Sequence, residues 1–194
     1  MSPRKADPPA LEFVLLGLIR LQPVHGYELF HSFQRDHGVG MIWQVKPAHM
    51  YAVLDKLEGM GWLESEIQTG EGSVQRKQYH ITAAGEQSYQ NWLTSPVTTP
   101  HRLRQEFLAR LYFILHDPQK PGTAIIFRQM EICGNWQIRM QQQIQKLAAD
   151  QFYEREVLLF RIGQVSAMQE WLINLEKSLD GQTQKAKEMG DQNA

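Results

Sequence analysis

The sequence predicts a mainly α-helical chain with a small β-wing, in two parts. Three observations carry that expectation. Apolar residues recur at three- and four-residue spacing along most of the 194 residues. Between about residues 62 and 81 the period shortens to two, around a Gly-rich turn followed by Arg76 and Lys77. Prolines and glycines punctuate the chain where these periods change.

The first helix is predicted from about Pro9 to Leu21, with Leu11, Val14, Leu15, Leu18 and Ile19 on one stripe. Pro23 ends it. A second helix opens near Gly26, with Tyr27, Leu29, Phe30 and Phe33 directed to a core, and Gly38 and Gly40 close it. After the apolar connector 41–45, Pro47 starts a third helix, where its missing N–H costs nothing. Met50, Val53, Leu54, Leu57 and Met60 form its apolar stripe, and Gly61 fits a left-handed cap. Residues 62–67 and 74–81 then read as two strands joined by a turn at 69–73. Thr82 caps a fourth helix that runs to about Leu93.

The stiff stretch 94–100 (TSPVTTP) is the expected boundary between a first domain, 9–94, and a helical second domain, 101–180. In the second, one helix covers about Leu103 to Leu115, ended by Asp117 and Pro118. The next, from near Pro121, carries Ile125, Gln129, Ile132, Trp136, Met140, Ile144 and Leu147 on one face. The last carries Phe152, Leu158, Ile162, Val165, Met168, Leu172, Leu175 and Leu179. Alternating spacings of three and four are what side-by-side helices require. Residues 181–194 read as a frayed polar tail.

Composition excludes more than it selects. No apolar run of about 18 residues offers a membrane span. The start, MSPRKADPPA, lacks the apolar core of a secretory signal. The lone Cys133 fits a reducing cytoplasm and reads as a small core residue. His25, His31 and His37 lie six apart and cannot share a helical face as metal ligands. No phosphate loop, nucleophile turn or separated carboxylate pair points to catalysis, so neither enzyme activity nor a cofactor is expected. The net charge of −1 gives no general attraction to nucleic acid, so any basic footprint is local.

The stretch from Lys46 to Thr82 nevertheless has a narrow implication. Helix, strand, basic turn and strand in direct succession is the layout of a winged helix-turn-helix. A helix enters the major groove of DNA when one face is packed and the other carries short or polar groups. Here Ala48 and Ala52 permit close approach, Lys46, His49 and Tyr51 offer contacts, and Lys56 reaches for phosphate. Arg76 and Lys77 stand where a wing meets the backbone. Tyr51 is also placed at the margin of the packed stripe, so packing is its alternative role. Glu64, Glu66 and Glu71 oppose phosphate approach and leave a second reading open, a winged helix that binds another protein.

The segments 25–29 (HGYEL), 47–51 (PAHMY), 54–61 (LDKLEGMG), 76–79 (RKQY) and 81–85 (ITAAG) resemble, in order and spacing, the PadR family of transcriptional regulators. The resemblance covers about Leu11 to Leu93 and, beyond it, the subgroup with a long helical C-terminal domain. It implies a winged helix-turn-helix with a C-terminal helical dimerisation domain, a homodimer on double-stranded DNA, usually a repressor, and often a small-molecule effector. It also implies that Tyr51, Arg76 and Lys77 touch DNA. Lys46, Ala48 and His49 depart from the family's usual Ser-Pro-Gly-Thr, so the operator sequence does not carry over. Ile125, Ile132, Trp136, Met140, Leu158, Ile162, Val165, Leu172 and Leu175 are the expected dimerisation residues. Trp136, Trp171 and Met168 either line an effector pocket or fill the dimer core.

Overall fold

Spacing, caps and breakers place the elements close to where they are expected. The computed structural model describes residues 10–69, 75–116 and 123–191. The Gly-rich turn, Pro9 and the 117–122 break lie outside the described residues. The chain divides into two units, the first holding residues up to Ser95 together with 103–121, the second 96–102 and 122–194.

In the first unit, α1 (Ala10–Leu21) buries Leu11, Val14, Leu15 and Ile19. β1 (Val24–His25) leads into α2 (Gly26–Gln34), where His25 takes the N-cap position and its backbone N–H donates to Glu28 Oε2 at 3.2 Å. Leu29 and Phe33 are buried, but Tyr27, expected in the core, is 66% exposed because helical rotation turns it to the side opposite their stripe. α2 stops at Gln34 rather than at the glycines, which form a 3₁₀ turn, Gly38–Met41. α3 (Pro47–Gly59) buries Met50, Val53, Leu54 and Leu57. Met60 was expected on that stripe but stands past the last turn and is exposed. Gly61 follows at φ +69°, a conformation that costs L-residues a Cβ clash, and it releases the chain into the wing.

β2 (Leu63–Thr69) and β3 (Gln75–Ile81) pair antiparallel, with Ser65 opposite Tyr79 and Ile67 opposite Lys77. β1 adds a third strand through Val24–Tyr79 and His25–Gln78, giving the order β1-β3-β2. Two residues are too few to show a period, so sequence patterning missed this strand. α4 (Ala83–Thr94) starts on Thr82, whose Oγ1 accepts the Gly85 N–H at 3.1 Å.

A helical turn α5 (Pro100–Arg102) and a π-helical stretch (Leu103–Phe107) precede α6 (Leu108–His116). The sequence groups α6 with the later helices, yet it belongs to the first unit. The reason is a buried polar and aromatic cluster. Arg110 Nη2 donates to Glu106 Oε1 at 2.7 Å, Arg110 Nε donates to the Trp92 carbonyl at 2.9 Å, and its guanidinium lies 4.8 Å from the Trp92 ring centroid. Phe13 stacks on Trp92 with centroids 5.2 Å apart, and Phe113 meets Tyr89 edge-on.

The second unit is built on α7 (Ala124–Gln145) and α8 (Phe152–Asp191). Gln137 Nε2 reaches Ser166 Oγ at 2.9 Å and Gly134 faces Gln169, so the two helices run antiparallel. Buried Gln129 clamps the connector, accepting the Val97 N–H at 2.7 Å and donating to its carbonyl at 3.1 Å. Burial pushes the Cys133 thiol up, only partly offset by a hydrogen bond with Gln129. The expected frayed tail is instead continuous with α8 as far as Asp191. Leu147 falls beyond the end of α7, and Phe152 is exposed.

Candidate nucleic-acid interface

The geometry of α3 follows from its two faces. Packing of Met50, Leu54 and Leu57, all fully buried, fixes its inner side. Burying one such side chain stabilises by about 1.5–3 kcal/mol, enough to hold the helix in one rotation about its axis. The outer side then presents Lys46, Ala48, His49, Tyr51, Ala52 and Lys56, all exposed, as a strip of short and polar groups. Lys46 is the N-cap but makes no side-chain cap, so its ammonium is left to solvent at the entrance of the helix.

Tyr51 lies over Gly26. A Cβ at residue 26 would stand 2.7 Å from the Tyr51 ring, so the close approach requires glycine. Tyr51 thereby joins His25, Gly26, Tyr27, Asp55, Arg76, Lys77 and Tyr79 around a cleft of about 540 Å³ between α2, α3 and β3. Tyr27 is the residue that sequence patterning missed. The available signal was its place four residues before His31, whose ring it meets edge-on at 4.3 Å, outside the Leu29–Phe33 stripe. His25 Nδ1 donates to the Lys77 carbonyl at 3.1 Å, tying the start of α2 to the wing. Burial, with the nearby Glu58 and Asp55 carboxylates, pushes the Tyr79 phenol up to about 12, so it stays neutral and anchors the cleft floor.

The cations divide into two groups. Lys56 Nζ lies 2.6 Å from Oε1 of Glu12, a carboxylate only 1% exposed, and Lys77 Nζ lies 3.0 Å from Glu58 Oε2. Both lysines are therefore partly neutralised by the fold itself. Arg76 and Lys46 are exposed, with no carboxylate partner in hydrogen-bond range among the described residues. On the outer face of the sheet Glu66 lies 3.4 Å from His80 Nε2, and Gln68 bridges Glu66 and Gln78, so the Glu66 carboxylate is engaged locally.

The expected dimerisation residues are divided too. Ile125, Trp136, Val165 and Leu172 are buried within the α7–α8 pair, while Ile132, Met140, Leu158, Ile162 and Leu175 are half-buried. Of the candidate effector residues, Trp136 is buried, Met168 half-buried and Trp171 exposed, so they do not share one environment. Among the described residues, no group of three or more His, Cys, Asp or Glu is placed to hold a metal ion, and no helix is long and apolar enough to cross a membrane.

A helix packed on one side, bare on the other, and followed by a hairpin with an exposed arginine defines the first unit as a winged helix-turn-helix domain. Residues 15–91 match the model of the transcriptional regulator PadR-like family, so this part of the chain is similar to that family. The negative transcriptional regulator PadR of Bacillus subtilis strain 168 is 28% identical over 104 residues, covering 54% of this chain. The match spans 56% of that relative, little more than half its length. Among solved structures, B. subtilis PadR in complex with operator DNA shares 21% identity over 88% of this chain and 98% of that one, with a TM-score of 0.47. A PadR-like regulator of Bacillus cereus shares 22% identity over 91% of this chain and 99% of its own, with a TM-score of 0.42. B. subtilis PadR in complex with p-coumaric acid shares 22% identity over 89% of this chain and 99% of that one, with a TM-score of 0.38.

Proposed function

We propose that the chain is a cytoplasmic transcriptional regulator, not an enzyme, that represses by binding an inverted-repeat operator as a homodimer. The observation that carries this reading is the outer strip of α3, Ala48, His49 and Ala52, beside the exposed Arg76 of the wing. The small side chains allow backbone-close entry to a major groove, His49 reads base edges, and Arg76 with Lys46 contacts phosphate. The Tyr27 and Tyr51 hydroxyls at the cleft add uncharged donors to the backbone contacts. In a two-fold dimer the two α3 helices address half-sites about 34 Å apart, one duplex turn.

The second unit supports the dimer. A two-helix hairpin buries one stripe from each helix, and here Phe127, Ile138, Phe152, Tyr153, Phe160 and Trp171 are left exposed. An apolar array of that extent marks an interaction surface, and a second copy supplies a matching one. The expected division into 9–94, 101–180 and 181–194 is adjusted accordingly: the first unit, with α6, is proposed to read DNA, and α7 and α8 are proposed to hold the dimer. A small molecule seated around Trp136, Met168 and Trp171 is the proposed effector, acting on the angle between protomers.

A gel shift at low salt with duplex from upstream of its own gene tests the reading, and a wild-type protein that shifts no duplex overturns it. Arg76→Met is expected to weaken binding on all sequences, while His49→Ala changes sequence preference. The neutralised Lys56 and Lys77 favour one rival, a winged helix that binds protein. Size exclusion with and without duplex separates the two.

A further inference from the structure

Glu58 stands in the last turn of α3 with both carboxylate oxygens committed to the wing. Oε1 accepts Ser65 Oγ at 2.5 Å, and Oε2 accepts Lys77 Nζ at 3.0 Å. Ser65 belongs to β2 and Lys77 to β3, so one carboxylate joins the recognition helix to both strands of the hairpin. Lys77 is held at its other end as well, by His25 Nδ1 on its carbonyl. Burial opposes the charge on Glu58, but the hydrogen bonds from Ser65 and Lys77 and the lysine's charge outweigh it and hold the carboxyl below its ordinary value. Glu58 is therefore ionised wherever the protein is folded near neutral pH.

A lysine that neutralises a DNA phosphate displaces a condensed counter-ion, and each such contact steepens the salt dependence of binding by about 0.9. A lysine that keeps its pairing with a carboxylate offers a phosphate no net charge and displaces none. We propose that Glu58 is an internal competitor for Lys77: it spends the lysine's charge on fixing the wing's pitch against α3, and so limits how tightly the wing holds DNA of any sequence. This rests on the DNA-binding reading above. Lys77 is then a positioning residue, Arg76 carries the wing's phosphate contact, and Glu58 favours sequence readout over indiscriminate attraction.

The test uses the full chain as wild type, Glu58→Gln, the double variant Glu58→Gln with Lys77→Met, and Glu58→Ala. Fluorescence anisotropy with operator and scrambled duplexes, from 50 to 200 mM salt, reads the slope of log affinity against log salt, for which about 0.9 per phosphate contact is the scale. Glu58→Gln can still accept from Lys77 Nζ through its amide oxygen and donate its amide N–H to Ser65 Oγ, but it removes the charge. It is expected to steepen the slope by about one on both duplexes, to tighten the scrambled duplex several-fold, and to narrow the operator-to-scrambled ratio. The double variant is expected to return the slope to the wild-type value. An unchanged slope in Glu58→Gln overturns the proposal. So does a steepened slope that survives in the double variant, because the carboxylate would then repel DNA without acting through Lys77.

Amide hydrogen exchange without DNA scores the tether separately. Faster exchange in β3 in Glu58→Ala than in Glu58→Gln supports it, and equal exchange overturns it. A wild type that binds no duplex overturns the DNA reading and the competition together, while the exchange result still stands on its own.

Discussion

The winged unit buries Leu15, Leu54, Tyr89 and Phe113 to 1% exposure or less, whereas the α7–α8 pair leaves Phe127, Phe152, Tyr153 and Phe160 at 50% or more. Both units are rich in apolar residues, but only the first surrounds its core. Four helices, a sheet and α6 enclose it from several directions, so each large side chain finds partners on every side. Two antiparallel helices enclose only the stripe between them. Completeness in the first unit gives the proposed reading head a closed core; incompleteness in the second leaves exposed the apolar side chains proposed to meet another copy. The domain that is finished is the one expected to meet DNA, and the unfinished one is expected to find its partner in itself.

Breaking the first unit from within is expected to have the largest effect. Arg110→Met removes the buried guanidinium that pairs with Glu106 and lies over Trp92, and is expected to cost about 3–5 kcal/mol, measured by urea unfolding. A loss below about 1 kcal/mol would mean the pair contributes little beyond packing. Next in size is Phe160→Glu, which puts a carboxylate on the outer face of α8, where the side chain is 66% exposed in the protomer. Dimer affinity is expected to fall by about a hundredfold, or 2.7 kcal/mol, in sedimentation equilibrium, with little change in protomer folding. A dimer as tight as wild type would remove this face from the interface.

Gly61→Ala is a smaller perturbation of the joint between recognition helix and wing. At φ +69° the added Cβ is expected to cost about 1 kcal/mol in thermal unfolding. Alanine tolerated without loss would show that the joint relaxes. The mildest effects come from pH. The Tyr79 phenol is raised to about 12 in the folded state, so the folded protein holds its proton more tightly than the unfolded chain does. Its contribution is fully present below the unfolded value of about 10 and is lost as pH rises toward about 12. Glu58 is lowered, so its contribution is present above the ordinary carboxylate range and fades as pH falls through its folded value. The first unit is therefore expected to loosen at the wing from both ends of the pH scale. Chemical unfolding monitored across pH, with Tyr79→Phe removing the alkaline limb, checks the first half.

Much of this was legible in the chain. α3 was set by Pro47 at its start, the Met50–Leu57 stripe along it and Gly61 after it, all local signals. Thr82 marked the start of α4 for the same reason. Tyr27 was misplaced because a short helix offers too few residues for its stripe to be distinguished from its opposite side. β1 was missed because two residues have no period, and α6 was assigned to the wrong unit because nothing local records that Arg110 reaches Trp92, 18 residues earlier.

The sequence by itself therefore determined which residues α3 and the wing expose, since helical and strand periodicity divide inner from outer faces without reference to the rest of the molecule. Which of the exposed cations remain available was decided only by tertiary structure. Lys56 meets Glu12 from 44 residues away and Lys77 meets Glu58 from 19. Ion pairs of that separation depend on where packed helices bring their ends together, and no repeat or spacing in the chain encodes that.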